Sequence, residues 1–241
     1  VLSPQEPSFE SRLNAVEERI QQAAARSGRL RSTITLVAVS KKFSSTHMRT
    51  AYQAGLRVFG ENYVQEFTGK RPELSDLADT RFHLIGHLQS NKVRVACDLF
   101  DVIQTADSIK LLQRLNAAAR ESQRKLEVML EVRLSREDSK TGVLPDELPP
   151  LVDTARGLPH LDITGLMTMP PWHTDPEHSR PYFKTLAGLA KQFALPQLSM
   201  GMSGDFEVAI EEGATLIRVG TALFGARPKP SPNAPQDESP A

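Results

Sequence analysis

An α/β fold is what this sequence predicts: a single (β/α)8 TIM-type barrel with an added N-terminal helix. Two observations carry the prediction. Short apolar runs recur eight times, each followed by a helical segment or a short connection. Strands that alternate with helices pair in parallel, because each crossover returns the chain to the same edge of the sheet. In addition, no linker rich in Pro or Gly divides the repeats, so one domain is expected over residues 1–226. Eight units in roughly 200 residues suit a closed barrel, and a doubly wound open sheet also satisfies the alternation.

The chain opens with a helical pattern from about Ser8, with Phe9, Leu13, Val16 and Ile20 at helical spacing and a stop at Gly28. The first strand is expected at Thr35–Ser40, where Val37 and Val39 place β-branched side chains at alternate positions. The following runs are Leu56–Gly60, Phe82–Gly86, Val102–Thr105 and Leu126–Leu134, then Ile163–Met169, Leu198–Met202 and Leu216–Phe224. Helical patterns between them include Ser108–Arg120, Pro181–Phe193 and Phe206–Glu212. The segment from Arg227 to Ala241 is Pro-rich and otherwise polar, and reads as a disordered tail.

Composition narrows the function classes. The chain has 241 residues, with 29 basic and 29 acidic side chains. A nucleic-acid protein held by bulk electrostatics would carry a basic excess, so no nucleic-acid partner is expected. A single phosphate needs only a few donors, and a local anion site stays open. One cysteine, Cys97, excludes an internal disulfide framework and fits a reducing compartment. It lies in the apolar stretch Val93–Cys97 and reads as a small buried side chain. No run is long enough to span a bilayer and no signal segment opens the chain, so a soluble cytoplasmic protein with no membrane partner is expected.

In either architecture reactive groups belong just past the C-terminal ends of the strands. Lys41 falls there, at the end of the first strand. A lysine at that place is either a snorkelling side chain, helped outward by Lys42, or a partly desolvated amine able to attack a carbonyl. Two later loops favour the second reading. Gly201-Met202-Ser203-Gly204 places glycines and a hydroxyl just before a helix, an arrangement that binds anions through free N–H groups. Gly220-Thr221 adds a second backbone donor and hydroxyl from the next repeat, and phosphate sites after strands seven and eight recur in barrels. Arg218 interrupts the apolar Leu216-Ile217-Arg218-Val219. Its guanidinium needs a buried acceptor, which is either a core carboxylate or a ligand heteroatom.

Other candidates carry less. His83 and His87 straddle a strand end with no Cys or acidic partner to complete a metal set, and no metal is expected. His47, His160, His173 and His178 read as surface residues, and Trp172 as a loop cover. There is no Gly-x-Ser-x-Gly elbow, Walker loop or Gly-x-Gly-x-x-Gly fingerprint.

Taken in order, several long segments resemble the pyridoxal 5′-phosphate (PLP) homeostasis protein family, whose fold is the alanine-racemase N-terminal type of barrel. They are Leu36–Lys41, Phe59–Glu66, Phe82–Lys92, Ser139–Gly142, Gly165–Met169, Leu198–Ser203 and Ile217–Gly225. The resemblance implies that Lys41 joins PLP as a Schiff base, that Arg218 faces the pyridine nitrogen and that Asn62 lies beside the ring. It also implies that Ser203, Gly220 and Thr221 hold the phosphate, with Met202 contributing backbone. An arginine at the ring nitrogen cannot hold a proton there as a carboxylate would, which disfavours carbanion chemistry. The chain departs from many relatives at Lys42-Phe43-Ser44-Ser45, where they carry a Thr-Lys-Pro-like stretch. Any role for a second lysine two positions after the first is thereby put in doubt.

The favoured reading is a carrier rather than a catalyst, with apo-enzymes that use PLP as candidate recipients and a monomer expected. The alternative is a PLP-dependent amino-acid racemase. That activity needs acid–base groups on both faces of the substrate α-carbon. Lys41 supplies one, no second base stands out, and the tail leaves no room for the additional β-domain of racemases. Lys140, in a polar loop at the same barrel end, is a candidate transfer residue.

Overall fold

The computed structural model describes residues 7–135 and 141–226. Its sheet runs β1 (Thr35–Val39), β2 (Val58–Glu61), β3 (Arg81–Leu84), β4 (Val102–Ala106), β5 (Leu126–Glu131), β6 (Leu161–Met167), β7 (Gln197–Ser199) and β8 (Leu216–Val219). These strands pair in sequence order into a closed barrel, all in parallel. The seam is β1 on β8, where Thr35 through Ala38 pair one for one with Leu216 through Val219. Closure decides for the barrel over the open sheet.

Helices α1 (Phe9–Arg26), α2 (Ser45–Gln53), α3 (Val64–Lys70), α4 (Val93–Leu99), α5 (Ile109–Glu121), α6 (Leu148–Arg156), α7 (Arg180–Gln192), α8 (Phe206–Glu211) and α9 (Thr221–Phe224) lie around it. The added helix α1 starts where the Ser8 hydroxyl accepts from the Ser11 N–H at 3.1 Å. It ends where Gly28 turns to φ 67°. Leu13, Val16, Ile20, Ala23 and Ala24 form its buried stripe. Ion pairs Arg19–Glu207 (2.6 Å) and Arg26–Glu211 (2.8 Å) join it to α8.

Strand alternation sorts the core into two regions. Leu36, Ala38, Ile217 and Val219 pack outward among the helices. Val37, Val102, Met129 and Leu216 form a small separate cluster, the apolar layer inside the barrel. Two residues further along the same strands and on the same face come Gln104, Glu131 and Arg218, all buried. The interior therefore turns polar toward the strands' C-terminal ends.

Some boundaries move. The expected run Leu216–Phe224 divides at Gly220, whose carbonyl accepts from the Leu223 and Phe224 N–H groups at 2.9 Å each and so begins α9. The run expected to reach Leu134 stops at Glu131, beyond which Val132 forms an isolated bridge with Val143. The sixth strand starts at Leu161, opposite Leu126 in the register. His160 is half-buried rather than a surface residue, and its N–H donates to Asn116 Oδ1 at 3.0 Å. Cys97 is fully buried in α4, and that burial pushes its thiol pKa up. No helix among the described residues is long and apolar enough to cross a membrane. Lys140 and the segment 227–241 lie outside the described residues.

Candidate functional site

Lys41 sits at the exit of β1, where the Phe43 N–H donates back to the Ser40 carbonyl at 3.0 Å and closes a β-turn. Its neighbour Lys42 takes φ 66°, a left-handed conformation uncommon outside glycine. The Lys42 N–H donates to Glu66 Oε1 at 2.6 Å, which holds that conformation. The Lys41 side chain is half-buried.

The seam brings the predicted phosphate loops next to this turn. Gly220 lies one residue past Val219, beside Val39, and a Cβ on Gly220 would be 3.4 Å from Val39 Cβ. Its N–H points to Ser203 Oγ at 3.4 Å, so the loops after β7 and β8 meet directly. Thr221 is exposed at the start of α9, where first-turn N–H groups have no intrahelical partner. Gly201 is required by close approach as well as by its φ of 89°, since a Cβ there would lie 2.6 Å from Ala209 Cβ. The Met202 N–H, expected to contribute backbone, donates in this structure to Asp205 Oδ1 at 2.7 Å. The residue also lines a cavity. Asn62 follows β2 and is half-buried; its backbone lies so close to Gly86 that a Cβ on Gly86 would be 2.3 Å from the Asn62 oxygen.

Arg218 is buried, with 3% exposure, yet it pairs with no carboxylate among the described residues. Its Nη1 donates to Ser199 Oγ at 2.7 Å and its Nη2 to the Thr168 carbonyl at 2.9 Å. The core ion pair considered from the sequence is therefore not formed. Burial lowers the guanidinium pKa to about 10, which leaves it charged at neutral pH. Because arginine only donates, the bonds beyond it have a fixed direction. Ser199 Oγ donates to Gln104 Oε1 at 2.6 Å, and Gln104 Nε2 donates to His83 Nδ1 at 2.7 Å. His83 consequently carries its proton on Nε2, and burial holds its pKa down to about 3.

A cavity of about 350 Å³ is lined by Glu131, Arg133, Thr141, Met169, Trp172 and Met202 among others. Of the sequence-derived set only Met202 lines it, and the remainder gather at the exits of β1, β2, β7 and β8. Trp172 stands at its mouth with 81% exposure. Glu131 was not singled out from the sequence. Thr141 Oγ1 donates to its Oε1 at 2.8 Å, and Oε2 has no hydrogen-bond partner among the described residues. Burial pushes this carboxyl up to about 7. A signal for it exists in the sequence: an acid inside the apolar Leu130-Glu131-Val132 mirrors Arg218 inside Ile217-Arg218-Val219. His83 and His87 assemble no metal set, and no cluster of three potential ligands occurs among the described residues.

Comparison with known proteins shows the family. Residues 11–228 match the family described as alanine racemase, N-terminal domain. The pyridoxal phosphate homeostasis protein of Aquifex aeolicus is 43% identical over 222 residues, covering 90% of this chain and 97% of that protein. The protein of the same name from Pseudomonas aeruginosa is 44% identical over 214 residues, covering 88% and 93%. Among solved structures, Synechococcus elongatus PipY with PLP bound is 38% identical with a TM-score of 0.80, covering 90% of this chain and 100% of that one. Alanine racemase from Clostridium difficile, at 15% identity and a TM-score of 0.67, shares the fold over 57% of its length. With matches of this identity running nearly end to end, the chain belongs to the pyridoxal phosphate homeostasis protein family, built on the alanine racemase N-terminal domain.

Proposed function

We propose that this chain binds PLP for intracellular PLP homeostasis, holding it as a Schiff base on Lys41 without catalytic turnover. The observation that carries the reading is a buried guanidinium with no carboxylate partner among the described residues, Arg218, in a strand paired to β1, which leads into the Lys41 turn. Such a charge calls for an acceptor from a ligand. PLP supplies an aldehyde that condenses with an amine with loss of water, an aromatic ring nitrogen and a phosphate. Lys41 suits the first and Arg218 the second, with Asn62 beside the ring. The Ser203 hydroxyl, the Gly220–Thr221 backbone and the Thr221 hydroxyl suit the phosphate. In this reading the protein works as a cytoplasmic monomer and passes PLP to apo-enzymes, with no nucleic acid or membrane as partner.

The test is an absorbance spectrum after incubation with PLP and removal of the excess. Wild-type protein should retain the near-visible band of lysine-bound PLP, and Lys41→Ala should lose it. A wild-type protein without the band would sink the reading. The racemase alternative requires a second acid–base group across from Lys41. Glu131 is the titratable group of raised pKa that lines the cavity. Incubation with L-alanine and a chiral assay decides between them, and no D-alanine is expected.

A further inference from the structure

The turn that carries Lys41 is gripped on both flanks by one cluster of charges. Lys70, the last residue of α3, points its ammonium at three oxygens. These are Glu61 Oε1 at 2.9 Å, Glu66 Oε1 at 2.5 Å and the Ser40 carbonyl at 3.1 Å. Two of these contacts are hydrogen bonds, to Glu61 and to the Ser40 carbonyl, and the third is an ion pair with Glu66. Each acceptor in turn touches a neighbour of Lys41. Glu61 Oε1 accepts from the Ser40 hydroxyl at 2.7 Å, and Glu66 Oε1 accepts from the Lys42 N–H at 2.6 Å. The Glu61–Lys70 pair is shielded from water, with Glu61 at 0% and Lys70 at 11% side-chain exposure.

We propose that Lys70 is a positioning residue for Lys41: by tying Glu61, Glu66 and the Ser40 carbonyl together, it fixes the turn that presents the Lys41 amine. The inference rests on the reading of Lys41 as the PLP anchor. Two features separate it from an ordinary ion pair between a helix end and a strand. The bonds converge on the backbone and hydroxyl of Ser40 and the backbone N–H of Lys42, the two positions flanking the lysine. One of those positions, Lys42, is in a conformation that a non-glycine residue holds only when its surroundings impose it. Helix α3 thus acts on the site through a turn it does not belong to.

The experiment compares two ligands on the full-length chain. PLP can bond to Lys41, whereas 4′-deoxypyridoxine 5′-phosphate has the same ring and phosphate but a methyl group in place of the aldehyde. If Lys70 acts by aiming Lys41, Lys70→Met weakens PLP binding by about tenfold, a loss of about 1.4 kcal/mol. The analogue then binds as tightly as to wild type, and Lys70→Arg, which keeps the charge and donors, recovers PLP binding. Equal loss of both ligands, or no loss of either, would overturn the proposal. Should Lys70→Met fail to fold, Glu66→Ala provides the same contrast from the half-buried end of the cluster, with the same two overturning results. Failure of the cofactor reading looks different, because wild-type protein itself would then form no PLP adduct.

Discussion

Glu131 and Arg218 share the polar layer inside the barrel, each two residues beyond an apolar interior position on its strand, yet no hydrogen bond joins them. Arg218 draws the Glu131 pKa down from a distance, but burial dominates and leaves it at about 7, against an ordinary value of 4.5. The sign of the consequence follows from linkage. Between these values the folded chain keeps a proton that the unfolded chain releases, so stability falls as pH rises through the window and levels off above it. Glu131→Gln keeps an acceptor for Thr141 and removes the titration. Urea denaturation should show the variant gaining about 2–3 kcal/mol on wild type at pH 8, and little near pH 5. A difference that does not change with pH would show that the carboxyl stays ionised in the fold.

At the scale of elements, the exits of β2 and β3 are pressed together where Gly86 meets the Asn62 backbone. Gly86→Ala forces a methyl group against a carbonyl that cannot rotate away. The variant should lose about 2 kcal/mol in a urea melt, within the usual range for overpacking, and an unchanged midpoint would mean the two exits can separate freely. Much of the element order was legible in the sequence because most of each parallel strand is buried and reads as an apolar run. The ends were less legible. Leu216–Phe224 is one apolar run, and only the Gly220 carbonyl capturing two N–H groups turns its second half into α9. For the site, Lys41, Ser203 and Gly220 could be named because small and polar residues at strand ends stand out. Lys70 could not. It lies nine residues beyond Glu61, and their contact exists only because α3 folds back along β2. The bond from the Met202 N–H to the Asp205 side chain was not legible for a similar reason, since local side-chain-to-backbone bonds of this kind depend on the loop's folded shape.

Across the whole molecule, the site straddles the seam of the barrel. Lys41 and Asn62 follow β1 and β2, Ser203 follows β7, and Arg218 and Gly220 belong to β8 and its end, so the proposed site draws on the first and last strands of the barrel. A ligand held this way binds the closed barrel and not the unfolded chain, and it must stabilise the cooperative unit as a whole. At about a hundredfold excess over its dissociation constant the gain is about 2.7 kcal/mol. For a chain of this size that corresponds to a rise in Tm of roughly 5–10 °C. PLP also reacts with lysines exposed in the unfolded chain, which offsets part of the gain, but it does so nearly equally in a variant lacking a single lysine. The informative quantity is therefore the difference between wild type and Lys41→Ala at one PLP concentration, read by differential scanning calorimetry. Wild type should shift further, because the variant keeps the contacts to phosphate and ring but loses the covalent link across the seam. Equal shifts in the two proteins would mean that PLP reaches this barrel without engaging Lys41.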